Sequence, residues 1–319
     1  MEQLAGSSRP PERFRHEALL YAGDDQFVEA CGAFVRGGVE AGEPTLVVAV
    51  GDKLEGLREA LGRDAGGVQF ADMAEVGRNP ARIIPAWQEF VDEHAMDGLP
   101  LRGIGEPIFP ERDPHELVEC ERHEALLNLA FAEADGFWLL CPYDTEALPP
   151  EVIDEARRNH PFVAQGEVWE HSTDYRGVEA ISGPFVLELP EAPPNAAELR
   201  FGGTGTLAKL RRFVARRASE AGLDSRREHD LVMAANEIAS NSLRHGGGSG
   251  LLRIWREAGK ILCEIRCSGR LADPLADRRM PGPDTPSGRG LWLANQLCDL
   301  VQVRTLPGEL VVRLHFALD

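Results

Sequence analysis

Short apolar runs alternate with amphipathic segments over the first half of the chain. The apolar runs, which predict strands, are ALLYAG, PTLVVAV, GVQFAD, LRGIGEP and GFWLLCPYD. The segments between them repeat apolar residues at helical spacing, as in DDQFVEACGAFVRGGVEAG and PHELVECERHEALLNLAFAEA. Strands that alternate with helices predict a parallel sheet with helices on both faces, a doubly wound α/β domain.

The pattern changes after the proline-rich segment ELPEAPPNAAE. A strand at ELRFGG and two amphipathic helices, 206–221 and about 225–244, are followed by two hairpins that flank a glycine-rich loop and the helix GLWLANQLCDL. This order predicts an α+β domain with helices on one face of an antiparallel or mixed sheet. The predicted organisation is a disordered tail (1–12), a first domain (13–175), a linker (176–196) and a second domain (197–319).

The composition and net charge of the chain argue against some classes of function. The chain has 319 residues, 43% of them hydrophobic, which suffices for two domains, and its net charge of −18 argues against binding to DNA. No leader-like segment and no apolar run of roughly 20 residues is present, so the sequence predicts a cytoplasmic protein without a membrane span.

The six cysteines contain no C-x-x-C pair and predict buried thiols. Cys263 and Cys267 fall on the same side of a predicted strand, but nothing nearby supplies the two further ligands that zinc needs.

Polar side chains follow one stripe of the helix in AANEIASNSLRHGGG. Glu237, Asn241 and His245 are four residues apart and border the apolar face. A carboxylate or amide buried there without a partner costs on the order of 1 to 3 kcal/mol, so these groups need hydrogen bonds or a ligand. Carboxylate and amide oxygens are hard ligands that Mg²⁺ accepts when phosphates supply the rest.

This stretch resembles the N box of the GHKL ATPases, the family of gyrase, histidine kinases and the anti-sigma-factor serine kinases. Downstream, SGRGLWLANQLCDLVQV resembles the G2 box of that family, in which a glycine-containing turn leads into a helix N-terminus that meets phosphate oxygens. The segment EIRCSGRLADP stands where the G1 box belongs. The resemblance covers about residues 197–319 and implies a GHKL (Bergerat) fold.

The resemblance also implies roles for single residues. Asn241 would ligate Mg²⁺ and Glu237 would act as general base on an incoming hydroxyl. The residues implied to surround ATP are Asn241, His245, Cys267, Gly269, Gly288, Arg289, Gly290 and Leu291.

The G1 box departs from the family pattern at Cys267. The family places an aspartate there, whose carboxylate binds the adenine amino group, and a glycine two residues later, which is present as Gly269. A thiol is a weak, uncharged acceptor, so the change should cost about 1.5 to 3 kcal/mol, on the order of 10- to 100-fold in nucleotide affinity.

Among GHKL proteins, the second domain is most similar to the anti-sigma-factor serine/threonine kinases. That likeness implies phosphorylation of a Ser or Thr on an antagonist (anti-anti-sigma) protein, sequestration of a sigma factor, or both. A second interpretation is a non-enzymatic protein that only sequesters a partner. A third is a histidine kinase with His123 of ERHEALL as phosphoacceptor, although the motif lacks the downstream proline of such boxes.

The first domain resembles the MEDS (DcmR-like) sensory domain, a RecA-like or KaiC-like α/β module. The resemblance covers roughly residues 13–165 and rests on FRHEALLYAGDDQF, MAEVGRNPARIIPAWQEFVDEH, LRGIGEPIF, VECERHEALLNLAF and FWLLCPYD. The phosphate loop of a RecA-like ATPase is missing after the first strand, where the sequence reads YAGDD.

In such a sheet a small ligand would bind at the carboxyl ends of the strands. The candidate polar groups around it are His16, Glu106, His123 and Asp144. The alternative is that these side chains cap elements and satisfy the core. Homodimer formation is left open.

Overall fold

Continuous burial characterises the strands at the centre of the N-terminal half. The computed structural model describes residues 13–94, 98–166, 168–177, 187–279 and 289–318. The chain divides into two compact units, Met1–Ile181 and Ser182–Asp319, a division that falls within the predicted linker. The predicted tail, 1–12, lies outside the described residues.

The N-terminal unit is a mixed α/β structure. Its strands are β1 (Arg15–Tyr21), β2 (Thr45–Ala49), β3 (Val68–Asp72), β4 (Leu101–Gly105), β5 (Phe137–Asp144), β6 (Phe162–Gln165) and β7 (Val168–His171). Its helices are α1 (Gly23–Ala41), α2 (Gly51–Leu61), α3 (Met73–Val76), α4 (Ile83–His94), α5 (Pro114–Ala130) and α6 (Pro150–Asn159), with 3₁₀ segments at Gly62–Gly67 and Pro80–Arg82.

The sheet has the order β3-β2-β4-β5-β1-β6-β7, and all its pairs are parallel except the β6–β7 hairpin. Every residue of β2, β4 and β5 is buried, as expected for strands covered on both faces. The parallel α/β pattern read from the sequence is thus present, whereas the more specific RecA-like assignment stays a prediction.

Helices pack against both faces of this sheet. On one face, Trp138 and Leu140 of β5 join a core with Phe27 and Val35 of α1. On the other, Trp87 of α4 lies so close to β4 that a Cβ atom on Gly103 would come within 2.9 Å of its ring. The glycine therefore allows α4 to lie directly on the sheet.

The C-terminal unit carries one antiparallel sheet. Its strands are β8 (Ala197–Gly202), β9 (Ser249–Glu257), β10 (Lys260–Cys267), β11 (Leu300–Leu306) and β12 (Glu309–Ala317), in the order β11-β12-β10-β9-β8. Its helices are α7 (Thr206–Glu220), α8 (Ser225–His245) and α9 (Arg289–Leu297). All described pairs are antiparallel, so of the two arrangements predicted, the antiparallel one is found.

One hydrophobic core joins the three helices to one face of this sheet. The predicted apolar stripe of α7 contributes Leu210, Val214 and Ala218 to that core, together with Leu231 and Ile238 of α8. Ala258 and Gly259 make the predicted tight turn between β9 and β10, both with positive φ, as this kind of two-residue hairpin requires.

The sequence also makes predictions about the cysteines and about membrane spans. All six cysteines are buried free thiols, as expected. Among the described residues, none of the helices combines the length and the apolar character of a membrane span.

Glu17 is a buried carboxyl on β1. Its Oε2 atom accepts hydrogen bonds from Arg15 Nε (3.0 Å) and Trp138 Nε1 (3.1 Å), whereas Oε1 has no hydrogen-bond partner among the described residues. Desolvation outweighs the attraction of Arg15 and raises the pKa of Glu17 to about 7.

This pKa makes stability depend on pH. Between the ordinary glutamate pKa and about 7, the carboxyl is protonated in the folded state but ionised in the unfolded state. The free energy of unfolding therefore falls as pH rises through that range. We expect the Glu17→Gln variant to gain stability relative to wild type between about pH 5 and pH 8, by at most roughly 3 kcal/mol. Scanning calorimetry at the two pH values measures this difference.

The matched control is Glu29→Gln, which changes an exposed glutamate of α1 in the same unit. Its difference from wild type should be the same at both pH values. A Glu17→Gln difference that also stays constant would contradict the assignment.

Candidate functional site

The C-terminal candidate site is built on α8. Asp224 caps the start of this helix by accepting hydrogen bonds from the backbone N–H groups of Arg226 (2.8 Å) and Arg227 (3.2 Å). Leu231, Ala235 and Ile238 bury its apolar face. Glu237 and Asn241 are half-buried at the edge of that face, whereas His245 is exposed in the last turn.

Gly290 brings the start of α9 directly against Asn241. A Cβ atom on Gly290 would lie 2.4 Å from Asn241 Nδ2 and 3.5 Å from Glu237 Cβ, so a larger residue there would displace the Asn241 amide. The first turn of α9, which begins at Arg289, therefore lies beside the two polar residues of α8. Backbone N–H groups in a first helical turn lack intrahelical partners and attract anions.

The other residues predicted to lie near the phosphates differ in how exposed their side chains are. Arg289 is exposed, and the side chain of Leu291 packs against the hydrophobic core, so only the backbone of Leu291 is available to a ligand. Gly288 lies outside the described residues.

A chain of side-chain hydrogen bonds holds the polar stripe of α8. Arg211 Nη1 donates to Asn236 Oδ1 (2.9 Å), and Asn236 Nδ2 lies 3.5 Å from Glu237 Oε1 as a long hydrogen bond. Arg244 Nη2 donates to Asn241 Oδ1 (3.1 Å). The sequence analysis missed both arginines as site residues. The three-residue spacing of Asn241 and Arg244 could have indicated that pair.

The G1 segment lies against the end of α8. A Cβ atom on Gly246 would be 2.8 Å from Ser268 O, and one on Gly247 would be 3.2 Å from Ser268 Cβ. Gly269 has φ +140°, a backbone conformation that favours glycine. The glycines after the helix and in the G1 turn thus allow the two backbones to meet.

Cys267, the last residue of β10, is buried beside the Ser242 hydroxyl. Burial raises the pKa of the thiol, and a hydrogen bond with Ser242 only partly opposes this. The side chain predicted to lie at the adenine is therefore a neutral thiol.

The residues predicted to hold the phosphates and the metal suit Mg²⁺-ATP, whereas the residue predicted to bind the base does not. The first turn of α9 lies beside the Asn241 and Glu237 side chains. Asn241 turns Nδ2 toward Gly290, and its Oδ1, an atom type that Mg²⁺ accepts, is bonded to Arg244. On the base side, Cys267 offers no charge-assisted acceptor.

The N-terminal candidates do not form one site. Glu106 follows β4 and accepts from Tyr21 Oη (2.8 Å) and Lys53 Nζ (2.5 Å). His16 and Tyr21 are five residues apart on β1, so their side chains lie on opposite faces of the sheet. The structure does not bring His16 to Glu106 at the carboxyl ends of the strands, as predicted, because His16 is the second residue of β1 and the alternation of the strand turns its side chain to the other face.

Glu106, Tyr21 and Lys53 form a buried polar group at the carboxyl ends of the strands. Desolvation raises the pKa of Glu106, and Lys53 counteracts it. Lys53 and Tyr21 were not predicted, because Lys53 lies on a helix that only the fold brings to this edge.

Of the other two candidates, Asp144 lies near the Glu106 group, where its charge adds to the rise in the pKa of Glu106, whereas His123 belongs to the interior of α5. Asp144 accepts from the backbone N–H groups of Glu146 (3.0 Å) and Ala147 (3.3 Å), so it caps the turn after β5. His123 is 1% exposed within α5. Phosphotransfer to its ring would require α5 to move, which disfavours the histidine-kinase interpretation.

His16 belongs to a different group, on the α5 side of the sheet. With Glu124, Cys141 and His160 it places four potential metal ligands within 4.8 Å of one another. Burial, then the charge of His160, lowers the pKa of His16 to about 4. No short motif links residues 16, 124, 141 and 160, so the sequence analysis found only His16.

Comparisons with known families agree with this description of two units. Residues 15–161 match the model of the MEDS domain, described as the methanogen/methylotroph, DcmR sensory domain. Residues 204–316 match the model of the histidine kinase-like ATPase domain. No curated protein matches the chain.

The close approach at Gly290 leads to a test. In Gly290→Ala the new methyl group must displace the Asn241 amide, a flexible side-chain end, so we expect loss of Mg²⁺-dependent nucleotide binding with a change in Tm of only a few degrees. Calorimetric titration with ATP and Mg²⁺, together with thermal unfolding, measures both effects.

Gly67→Ala is the control, because a Cβ atom on Gly67 meets nothing within 4 Å. Wild-type affinity in Gly290→Ala would show that the contact with Asn241 does not shape the site.

Proposed function

We propose that this chain, which joins a MEDS domain to a histidine kinase-like ATPase domain, is a signalling regulator whose C-terminal unit acts as an anti-sigma-factor-type serine/threonine kinase. The observation that carries the proposal is the approach of Gly290 to Asn241 and Glu237, which would bring a metal ligand, a base and the phosphate-binding start of α9 together.

Each residue of this group has a distinct task. Asn241 would hold Mg²⁺ through its amide oxygen, with Arg244 donating to the same oxygen and fixing its direction. Arg289 and Gly290 begin the helix whose first-turn backbone N–H groups would face the phosphates. Bound ATP would supply the phosphoryl group for transfer.

Glu237 would act on the acceptor. Its carboxylate would take the proton of a Ser or Thr hydroxyl on the antagonist protein as the hydroxyl oxygen bonds to the transferred phosphoryl group. Asn236 lies beside Glu237 Oε1 and holds the carboxylate in place.

A second candidate function follows from Cys267. A neutral thiol at the adenine position removes a charge-assisted hydrogen bond, and the cost of about 1.5 to 3 kcal/mol falls on nucleotide affinity. A domain weakened in this way would keep its protein-binding surface and sequester a sigma factor without phosphorylating an antagonist.

The N-terminal unit would supply the sensory input. The group of Glu106, Lys53 and Tyr21 offers a carboxylate, an ammonium and a phenol at the edge of the sheet where α/β proteins bind small ligands. A small polar ligand that exchanges hydrogen bonds with this group is the proposed signal.

Nucleotide titration tests the ATP site. We expect Mg²⁺-dependent binding that disappears in Asn241→Ala and tightens on the order of 10- to 100-fold in Cys267→Asp, which restores a charged acceptor. Asn195→Ala, an exposed asparagine of the same unit, is the control and should bind as wild type.

Two results would count against the assignment. Unchanged affinity in Cys267→Asp would remove Cys267 from the base site, and equal binding by wild type and Asn241→Ala would remove the magnesium role.

Phosphotransfer separates the two candidate functions. Incubation with labelled ATP and candidate anti-anti-sigma proteins of the source organism should yield acid-stable phosphate on one of them. Glu237→Gln should lower this rate by about 10²-fold or more while keeping nucleotide affinity, because only the base is lost. Glu228→Gln, a change of another glutamate on α8, should be without effect.

Tight binding of a sigma factor without any phosphotransfer would favour the sequestering function. Equal rates for Glu237→Gln and wild type would exclude Glu237 as the base.

A further inference from the structure

The four-residue cluster of His16, Glu124, Cys141 and His160 lies in the N-terminal unit, outside the proposed ATP site. Its residues come from β1, α5, β5 and the residue after α6, and each is at most 1% exposed. We propose that this cluster is a zinc site with all four residues as ligands.

The two imidazole rings are oriented as metal-binding histidines are. His160 Nδ1 lies 2.8 Å from the carbonyl oxygen of Ala156, which only accepts, so Nδ1 carries the hydrogen. Asn128 Nδ2 donates to Asn159 O (2.8 Å), which fixes the amide and turns its Oδ1 toward His16 Nδ1 at 3.2 Å. A carbonyl oxygen that holds Nδ1–H leaves Nε2 as the ligand atom.

Both Nε2 atoms then face the same carboxylate oxygen. Glu124 Oε2 is 3.1 Å from His16 Nε2 and 3.0 Å from His160 Nε2. One proton can satisfy only one of these contacts, and the other nitrogen would still present a lone pair to the oxygen. Protonating both rings instead would place two cations with ring centroids 4.0 Å apart in a fully buried site.

The Glu124 carboxylate also has one oxygen without a hydrogen-bond partner among the described residues. This oxygen, Oε1, is buried, and none of the described lysines or arginines pairs with the carboxylate. Cys141 Sγ lies 3.4 Å from His16 Nε2. A buried carboxylate without a cation is costly, and a divalent metal would supply the missing positive charge.

Zinc fits the size and the chemistry of the cluster. Bonds of about 2.0 to 2.3 Å in a tetrahedron put ligand atoms roughly 3 to 4 Å apart. Three pairs of ligand atoms in the cluster are 3.0 to 3.4 Å apart, and all four atoms lie within 4.8 Å of one another. A thiolate and two imidazoles are ligands that zinc prefers. Binding would convert the Cys141 thiol to a thiolate and release one proton to solvent, so that thiolate, carboxylate and Zn²⁺ sum to zero charge.

Four protein ligands in a closed, buried site indicate a structural metal. The zinc would tie two adjacent central strands, β1 and β5, to α5 and to the end of α6. Because the cluster lies on the opposite face of the sheet from Glu106, the site is independent of the proposed sensory ligand.

Metal analysis of the full chain tests the proposal. Protein stripped with a chelator should rebind one equivalent of Zn²⁺, and with Co²⁺ it should show the thiolate-to-cobalt charge-transfer absorption of a cysteine ligand. Cys141→Ala should lose that absorption and weaken zinc binding by more than about 100-fold. Cys31→Ala removes another fully buried thiol of the same unit and should bind as wild type.

Stability measurements guard against a variant that merely fails to fold. In chelator, Glu124→Gln should unfold at the same or a higher temperature than wild type, because it removes an unpaired buried carboxylate. With zinc present, wild type should become the more stable of the two. Failure of the stripped wild-type chain to bind zinc, or zinc-dependent stabilisation that persists in Cys141→Ala and Glu124→Gln, would overturn the proposal.

Discussion

A polar side chain that leaves water must find a hydrogen bond, an opposite charge or a ligand, and both units of this protein are arranged around that requirement. In the C-terminal unit, Glu264 and Arg313 face each other across β10 and β12, and Arg313 Nη2 donates to Glu264 Oε2 (2.6 Å). In the N-terminal unit, Glu106 is matched by Lys53 and Tyr21. The His16 cluster differs because two histidine nitrogens face one oxygen of Glu124, while the other oxygen has no hydrogen-bond partner among the described residues.

In the candidate ATP site, Gly290 and Asn241 follow the pattern of the GHKL family, whereas Cys267 departs from it. Glycine at 290 costs conformational entropy in a helix and is retained where Asn241 leaves no room for a side chain. Cys267, by contrast, is buried and hydrogen-bonded, but its thiol carries no charge. In the proposed site, Gly290 and Asn241 would serve the phosphates and the metal, and Cys267 would lie at the base, so the two kinds of recognition would depend on different elements.

The N-terminal unit keeps its two polar groups apart. The alternation of β1 sends Tyr21 toward Glu106 and Lys53, and His16 toward Glu124 and α5. A ligand at the first group and a metal at the second would therefore act through the same strand from opposite faces. This arrangement allows a structural site to support a sensory one without sharing a side chain.

The amino-acid sequence by itself determined the long elements and the local motif, because both depend on periodicities that neighbouring residues carry. The buried strands, the apolar stripe of α7 and the polar stripe of α8 can all be predicted from such periodicities. Short elements were missed: α6 buries little beyond Val152 and Ala156, and the strands β6 and β7 have four residues each.

Only the tertiary structure decided which distant side chains meet. Gly290 reaches Asn241, and Lys53 reaches Glu106, through packing that no spacing in the sequence encodes. The His16 cluster spans 144 positions and needs two strands and two helices to form. Because hydrophobic packing fixes these approaches and the polar side chains follow the backbone that carries them, residue type and spacing could not have predicted the cluster.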